Sequence, residues 1–139
     1  MKLRKSILII SLLFLTDIAS AQDFSLPSSI KRGKIIYSNL CASCHMANGA
    51  GIPGVYSPLT GVDSLVNNKS RLAKSILQGV QGPVKIKGVE YKGNMRSFTL
   101  TDQEVSDLLN YIRNSWGNEG KAILPNEIQS LLSSKNDNN

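Results

Sequence analysis

Both cysteines and the only histidine of this chain lie together in the segment CASCH, residues 41–45. Two cysteines separated by two residues and followed at once by histidine form the attachment pattern of a c-type haem. On one helical turn, the thiols can add to two vinyl groups of adjacent pyrroles and form thioethers, while the imidazole reaches the iron. The pattern predicts one covalently bound haem c, attached at Cys41 and Cys44, with His45 as an iron ligand.

Three other kinds of site use the same residue types. A structural zinc site needs four ligands, usually with a second pair of Cys or His, and the chain has two Cys and one His in all. A thioredoxin-type dithiol would follow a strand in a βαβ frame, whereas a helix is predicted before Cys41. A plain disulfide would be strained across two residues and would leave His45 without a role.

The apolar content of the chain also favours haem. Aromatic residues make up 6% of the 139 residues, with one Trp and three Phe. A domain with so few large apolar side chains needs a disulfide, a metal or a large prosthetic group to complete its core. We therefore expect a single small domain whose core includes the haem.

Apolar spacing and capping signals predict an all-α fold of three to four helices. The first two helices are predicted at residues 28–40 and 70–77. Residues 82–95 alternate apolar and charged side chains around Gly88, which predicts two short strands, or an extended flap near residues 83–92.

Two further helices follow the flap. Thr101 and Glu104 predict a capping box at the start of the third helix, and Gly117 is expected to end it. A short fourth helix after Pro125 places three apolar residues on one side, namely Ile128, Leu131 and Leu132.

The first 21 residues have the pattern of a secretion signal. A basic start is followed by an apolar run at residues 7–15 and by the small residues Ala19-Ser20-Ala21. An uncleaved anchor is the alternative, but a spanning helix needs about 20 apolar residues. We expect cleavage after Ala21 and a periplasmic product. Its haem-binding domain would cover residues 22–132, and residues 133–139 would form a disordered tail.

Charge limits the partners of this product. Removing the signal takes three basic and one acidic residue from totals of 16 and 10, so the formal charge falls from +6 to +4. A mild positive charge without a basic-aromatic pattern argues against nucleic acid as a partner. No other segment is long and apolar enough to span a membrane, so a soluble monomer is expected.

The second axial position of the iron decides the function, because an open position permits reactions that a closed one prevents. The initiator methionine leaves with the signal, and Met46 lies beside His45 on the same side of the ring. The remaining candidate is Met95, 50 residues downstream of His45. Met95 as a core filler is the alternative, but its neighbours Asn94 and Arg96 are polar.

Three segments, CASCHMANGAGIPGVYSPLTG, GNMRSF and DLLNYIRNSWGN, resemble in order and spacing the class I monohaem c-type cytochromes of bacteria. The resemblance extends from Ile30 to about Leu132 and is closest to the monohaem type found alone or as the cytochrome part of periplasmic dehydrogenases and haem–copper oxidases. It implies a small cytochrome c fold with His45 and Met95 as axial ligands. It also implies that the backbone carbonyl of Pro58 accepts a hydrogen bond from the second nitrogen of the histidine.

The resemblance has further implications for packing and haem contacts. The first and last helices of the family cross where a glycine meets an aromatic residue, and Gly33, Tyr37 and Tyr111 fit that crossing. By position alone, three residues are candidate contacts of the haem propionates: Tyr56, Arg71 and Trp116.

Two positions depart from the family's pattern. Arg96 follows the predicted ligand methionine, where the family usually has proline. Its positive charge would favour ferrous iron if it were not solvated. Met46 follows the histidine, where glycine is common.

A six-coordinate iron with His and Met ligands passes single electrons and has no free site for a substrate. We therefore expect an electron carrier, not an enzyme. Its donor would be a dehydrogenase or quinol-oxidising complex, and its acceptor an oxidase or reductase. Four basic residues could orient an acidic partner or form only a solvated face: Lys85, Lys87, Lys92 and Arg96. The alternatives are a gas sensor or peroxidase-like protein, if Met95 binds weakly, and a fixed subunit of a larger oxidoreductase.

Overall fold

The computed structural model of the protein describes residues 23–62 and 67–134. The predicted signal segment, and the predicted tail from residue 135 onward, lie outside the described residues. Within the two described ranges, no helix is long and apolar enough to cross a membrane.

The described ranges contain five α-helices, one 3-10 turn and one antiparallel β-hairpin. In chain order they are α1 Leu26–Leu40, α2 Ala42–His45, α3 Lys69–Gln78, β1 Val84–Ile86, β2 Val89–Tyr91, α4 Asp102–Ile112, the 3-10 turn Pro125–Glu127 and α5 Ile128–Ser133. The predicted all-α class and the hairpin near residues 83–92 are confirmed. Helix α5 includes Ser133, so it extends one residue into the segment predicted to be a tail.

Helix α4 begins at the predicted capping box but ends earlier than predicted, at Ile112 instead of near Gly117. Side-chain amides donate hydrogen bonds to carbonyl groups in its last turn. The Nδ2 of Asn114 donates to the carbonyl oxygen of Asn110 at 2.9 Å. The Nδ2 of Asn118 donates to that of Ile112 at 2.8 Å. These bonds satisfy the carbonyls that a longer helix would have bonded internally.

Helices α1 and α4 cross at Gly33, where the two backbones are in contact. A Cβ at Gly33 would lie 1.9 Å from the carbonyl oxygen of Asp107 and 2.8 Å from the Cβ of Tyr111. Next to this point the Tyr37 ring packs against the rings of Tyr111 and Trp116, with centroids 5.2 Å and 5.0 Å away. The predicted crossing is confirmed, with Trp116 as a third ring.

A buried polar network beside the crossing was not predicted. The carboxylate of Asp107, which is 2% exposed, accepts hydrogen bonds from Arg32 Nε at 2.7 Å and Nη2 at 2.8 Å, and from Ser29 Oγ at 2.6 Å. The Nδ2 of Asn110 donates to Ser29 Oγ and to the carbonyl oxygen of Ile123, both at 2.9 Å. The network therefore ties the chain after α4 to the α1–α4 pair.

Candidate functional site

A cavity of about 500 Å³ opens between the helices and the hairpin. All four residues predicted to hold haem or its iron line it, namely Cys41, Cys44, His45 and Met95. Its apolar wall includes Leu59, Leu72, Ile76, Val84, Ile86 and Phe98. This volume and this mostly apolar lining are typical of a cofactor site.

One turn of backbone presents the cysteines and the histidine to the cavity. Cys41 lies between α1 and α2, and its N–H donates to the carbonyl oxygen of Tyr37 at 2.9 Å. The N–H groups of Cys44 and His45 donate to the carbonyl oxygen of Cys41 at 3.1 Å and 2.9 Å. Cys41 is buried, Cys44 is partly buried, and both are free thiols.

The Cys41 thiol does not have the acidity of a redox-active dithiol. Burial, together with the nearby Cys44, raises the pKa of Cys41 to about 11. Reactive Cys-x-x-Cys pairs instead have a thiol whose pKa is lowered, because the thiolate is the nucleophile. This difference argues against the thioredoxin-type interpretation.

His45 is held by a backbone carbonyl, but not by that of Pro58. Its Nδ1 donates to the carbonyl oxygen of Ser57 at 2.8 Å. The assignment to Pro58 is therefore wrong by one residue. The same segment is held in place by Leu59, whose side chain is buried and whose N–H donates to the carbonyl oxygen of Gly49 at 2.8 Å.

The bond to Ser57 determines the chemical form of the His45 imidazole. A carbonyl oxygen only accepts, so Nδ1 carries the proton and Nε2 keeps its lone pair. Burial lowers the pKa of His45, against the opposing effect of this hydrogen bond. The ring is therefore neutral at pH 7, which is the form that binds metals.

The residues after His45 are held by the aromatic cluster. The Tyr37 hydroxyl donates to the carbonyl oxygen of Met46 at 2.7 Å. Trp116 Nε1 donates to that of Ala47 at 3.2 Å. Trp116 does not line the cavity, and its N–H group is already bonded, so the structure does not support it as a propionate contact. Tyr56 and Arg71 do line the cavity.

Met95 enters the cavity from a short antiparallel bridge with Val80. The N–H of each residue donates to the carbonyl oxygen of the other, both at 2.9 Å. The Met95 side chain is partly buried and also packs against the apolar core. The sequence could not indicate that Val80 pairs with Met95, because only backbone atoms form the bridge.

Arg96 lines the cavity beside Met95 and contacts an aromatic ring. Arg96 is exposed, and its guanidinium carbon lies 4.7 Å from the centroid of the Phe98 ring. A cation on an aromatic face at the surface is screened by water and salt. The structure shows the contact of Arg96 with Phe98, and its effect on the iron stays a prediction.

The residues of the predicted basic cluster are exposed, and some of them already form contacts within the protein. Lys85, Lys87 and Lys92 are exposed residues of the hairpin region. Lys92 forms an ion pair with Glu90 at 3.4 Å. Lys87 Nζ donates to the carbonyl oxygen of Gly61. Of these three lysines, Lys92 alone forms an ion pair in the described part of the chain.

The residues present fit a covalently bound haem. The cavity joins two thiols at attachment spacing, a neutral imidazole and a thioether sulfur. These are the side chains that attach haem c and ligate its iron in cytochromes c. The apolar wall would exclude water from most of the ring.

Comparison with known proteins also supports a haem-binding site. The family model described as cytochrome c matches residues 30–116. Cytochrome c-552 of Thermus thermophilus is 42% identical over 94 residues, which cover 64% of this chain and 71% of that protein. A second cytochrome c-552, from another strain of the same species, has the same identity over 63% of its own length.

Subunits of two dehydrogenases are also similar. The cytochrome c subunit of alcohol dehydrogenase (quinone) from Gluconobacter oxydans is 28% identical over 107 residues, which cover 71% of this chain and 21% of that protein. The cytochrome c subunit of gluconate 2-dehydrogenase from Pantoea cypripedii is 34% identical over 110 residues, which cover 71% and 23%. The chain thus spans less than a quarter of either subunit. The family match covers more than half of the sequence and agrees with the helical fold. We therefore conclude that the chain belongs to the cytochrome c family, as a class I monohaem c-type cytochrome that binds covalently attached haem c and supports electron transfer.

Proposed function

We propose that this cytochrome carries single electrons in the periplasm, with its haem attached at Cys41 and Cys44 and the iron held by His45 and Met95. The observation that carries the proposal is that these four residues line one cavity, although Met95 follows His45 by 50 residues in the chain. When bound, the haem supplies one iron that accepts and releases one electron at a time. With both axial positions filled, no open site is left for a substrate.

Contacts around the cavity position the two proposed iron ligands, His45 and Met95. The bond from His45 to the Ser57 carbonyl leaves Nε2 unprotonated and increases its basicity as a ligand. The bridge to Val80 holds the backbone of Met95. The apolar wall keeps water away, and exclusion of water is one of the factors that set a redox potential.

The redox partners are the finer part of the proposal. The donor is a dehydrogenase or a quinol-oxidising complex, and the acceptor is an oxidase or reductase. Support comes from the similarity to cytochrome c subunits of two dehydrogenases. The exposed cations of the hairpin region would favour an acidic partner surface through steering that weakens with salt.

The location follows from the proposed export of the chain. Residues 1–21 would be removed after Ala21 to leave a monomeric domain at residues 22–132 and a short tail. The basic start, the apolar run and the small residues at 19–21 support this processing. The intact mass of the purified protein, compared with that of residues 22–139 plus one haem, tests cleavage and covalent attachment together.

A fixed subunit of a larger oxidoreductase is the second candidate function. The similarity to dehydrogenase cytochrome subunits favours it, although the chain spans only 21–23% of their length. Co-purification of a dehydrogenase in constant ratio from the native membrane or periplasm would support this candidate. A monomeric mass in sedimentation would support the free carrier.

Carbon monoxide binding to the reduced protein tests the electron-carrier function directly. The wild type is expected to keep its visible spectrum, because Met95 fills the sixth position. Met95→Ala should bind carbon monoxide rapidly. Met46→Ala is the matched control, since it removes the other methionine near the haem and should behave as the wild type.

Two outcomes would contradict the proposal. Rapid carbon monoxide binding by the wild type would favour a gas sensor or a peroxidase-like protein. An unreactive Met95→Ala protein would show that another group closes the sixth position.

A further inference from the structure

Gly79, the residue that caps the C-terminal end of α3, is in contact with the backbone of Met95. A Cβ at Gly79 would lie 2.6 Å from the carbonyl oxygen of Met95 and 2.9 Å from the amide nitrogen of Ser97. Both distances are shorter than real nonbonded contacts of a Cβ. Gly79 also has a φ of +76°, which L-residues with a side chain rarely adopt. Two independent features therefore require glycine at this position.

Hydrogen bonds extend the contact on both sides of Gly79. The next residue, Val80, exchanges two backbone hydrogen bonds with Met95, both at 2.9 Å. On the other side, the N–H of Phe98 donates to the carbonyl oxygen of Ile76 in α3 at 3.0 Å. The backbone on both sides of the Met95 Cα is therefore tied to the last turn of α3 and the residues that follow it.

Side chains next to Met95 contribute only two contacts: Asn94 Oδ1 accepts a hydrogen bond from the N–H of Gly82 at 3.2 Å, and Arg96 contacts the Phe98 ring. Asn94, Arg96 and Ser97 are all exposed. Exposed polar side chains add little to the order of a segment, because water competes for their contacts. The position of Met95 therefore depends mainly on its backbone contacts with the end of α3.

Helix α3 is itself fixed in the fold. Leu72 and Ile76 are buried in the core. At the start of the helix, Ser70 Oγ donates to the carbonyl oxygen of Leu131 in α5 at 2.6 Å. Lys69 forms an ion pair with Glu127 at 3.2 Å. The end of α3 can therefore serve as a fixed support for the loop that carries Met95.

We infer that Gly79 is a positioning residue for Met95. It lets the end of α3 approach the Met95 carbonyl closely enough for the Val80 bridge to form, and this contact sets where the Met95 thioether lies in the cavity. The inference rests on the iron-ligand role proposed above for Met95. It adds that α3, which provides no ligand, determines how firmly the sixth position of the iron is closed.

The test compares Gly79→Ala with Gly88→Ala in protein matured with haem. Gly88 has a φ of +81° and no atom within 4 Å of an added Cβ, so its substitution brings similar backbone strain without a contact to Met95. Three properties are measured: the rate of carbon monoxide binding after reduction, the midpoint potential, and the ferric absorption band of a methionine-ligated iron.

Gly79→Ala should bind carbon monoxide at least about tenfold faster than the wild type, since added strain at the contact favours the open form. Its midpoint potential should fall and its methionine band should weaken. Gly88→Ala should keep the wild-type rate, potential and band, although it loses thermal stability as well.

Two results would overturn the inference. One is a folded Gly79→Ala protein with the wild-type rate, potential and band. The other is an equal change in Gly88→Ala, which would assign the effect to general strain in the flap.

Amide hydrogen exchange of the reduced wild type provides a measurement that needs no variant. The Val80 and Met95 amides should exchange slowly and with the same protection factor, because one opening event breaks both bonds of the bridge. Fast exchange at either amide would overturn the inference, even if Gly79→Ala fails to fold.

The same measurement separates this inference from the proposed function. If the wild type binds carbon monoxide as fast as Met95→Ala, the ligand role of Met95 fails. Slow, matched exchange would then still show that the end of α3 holds the Met95 backbone.

Discussion

Met46 has a backbone conformation that is rare for any residue with a side chain. Its φ is +64° and its ψ is 158°, a region that is used almost only by glycine and costs other residues about 1–3 kcal/mol. The side chain is 44% exposed, so it contributes little burial in return. The hydrogen bond from Tyr37 to the Met46 carbonyl holds this conformation beside His45.

We expect Met46→Gly to stabilise the haem-bound protein. Relief of about 1–3 kcal/mol of strain outweighs the extra chain entropy of glycine, about 0.5–1 kcal/mol. The net gain of about 1 kcal/mol should raise Tm by several degrees. Thermal unfolding of the oxidised protein measures it. Met46→Ala keeps the strained backbone and should show no gain. An equal gain in both variants would mean that the side chain, not the backbone, is unfavourable.

The hydrogen-bond partner of His45 shows which parts of the site can be predicted from the identity of single residues. Cys41, Cys44 and His45 act through their side chains, so their spacing in the sequence indicates their chemistry. The bond from His45 to residue 57 uses a backbone carbonyl, which every residue has. The identity of residue 57 therefore carries no signal, and the prediction of Pro58 was wrong by one position.

Among the helices, α4 is the one whose start could be predicted in full. The side chain of Thr101 accepts a hydrogen bond from the N–H of Glu104, and the Glu104 carboxylate accepts one from the N–H of Thr101 at 2.8 Å. Both residues lie within one turn, so a short sequence pattern contains the whole interaction. The end of α4 depends on Asn118, a residue beyond the helix, and was predicted too late in the chain.

The cap of α4 should make stability depend on pH in the acid range. Hydrogen bonds from the backbone and then the side chain of Thr101 lower the pKa of Glu104. A carboxyl group whose folded pKa is lowered stabilises the fold above its unfolded pKa, which is about 4.3 for glutamate, and loses this contribution as pH falls through the folded pKa.

Glu104→Gln should therefore be less stable than the wild type at pH 7 by less than about 1 kcal/mol, since the group is exposed. The difference should shrink as pH falls through the lowered folded pKa of Glu104. Denaturant unfolding of the haem-bound protein at pH 7 and at a series of acid pH values measures it. Glu119→Gln, which changes an exposed carboxylate outside the helices, serves as the control. A difference between Glu104→Gln and the wild type that persists unchanged at the lowest of these pH values would contradict the assigned cause.

The whole molecule is built around the cavity as much as around its apolar core. Three helices supply most of the core, with Leu72 from α3, Leu108 and Leu109 from α4, and Ile128 from α5. The cavity of about 500 Å³ interrupts the contacts of these helices with the hairpin. Without haem, water reaches the apolar side chains that line this cavity, so their burial no longer stabilises the fold. The whole stability of a typical domain is only about 5–15 kcal/mol, so the loss of this burial is large by comparison.

We expect the chain without haem to be unfolded at 25 °C. Expression without haem-attachment machinery, or substitution of both Cys41 and Cys44 by Ala followed by haem extraction, should yield protein with little helical circular dichroism. It should also show no cooperative thermal transition. The same chain matured with haem should show both features. A cooperative transition of the haem-free chain would show that the core is complete without the cofactor.

The features that could be predicted from the sequence are those whose parts lie within one turn or one hairpin. These are the attachment segment at residues 41–45, the cap of α4 and the strands on either side of Gly88. Such features depend on side-chain types at short, fixed spacing, and both the types and the spacing can be read from the sequence. Three contacts became visible only in the folded chain: Ser57 bonds to His45, the end of α3 contacts the Met95 backbone, and a buried polar network lies at the helix crossing. These contacts join residues far apart in the chain, and most of them use backbone atoms, which are the same in every residue.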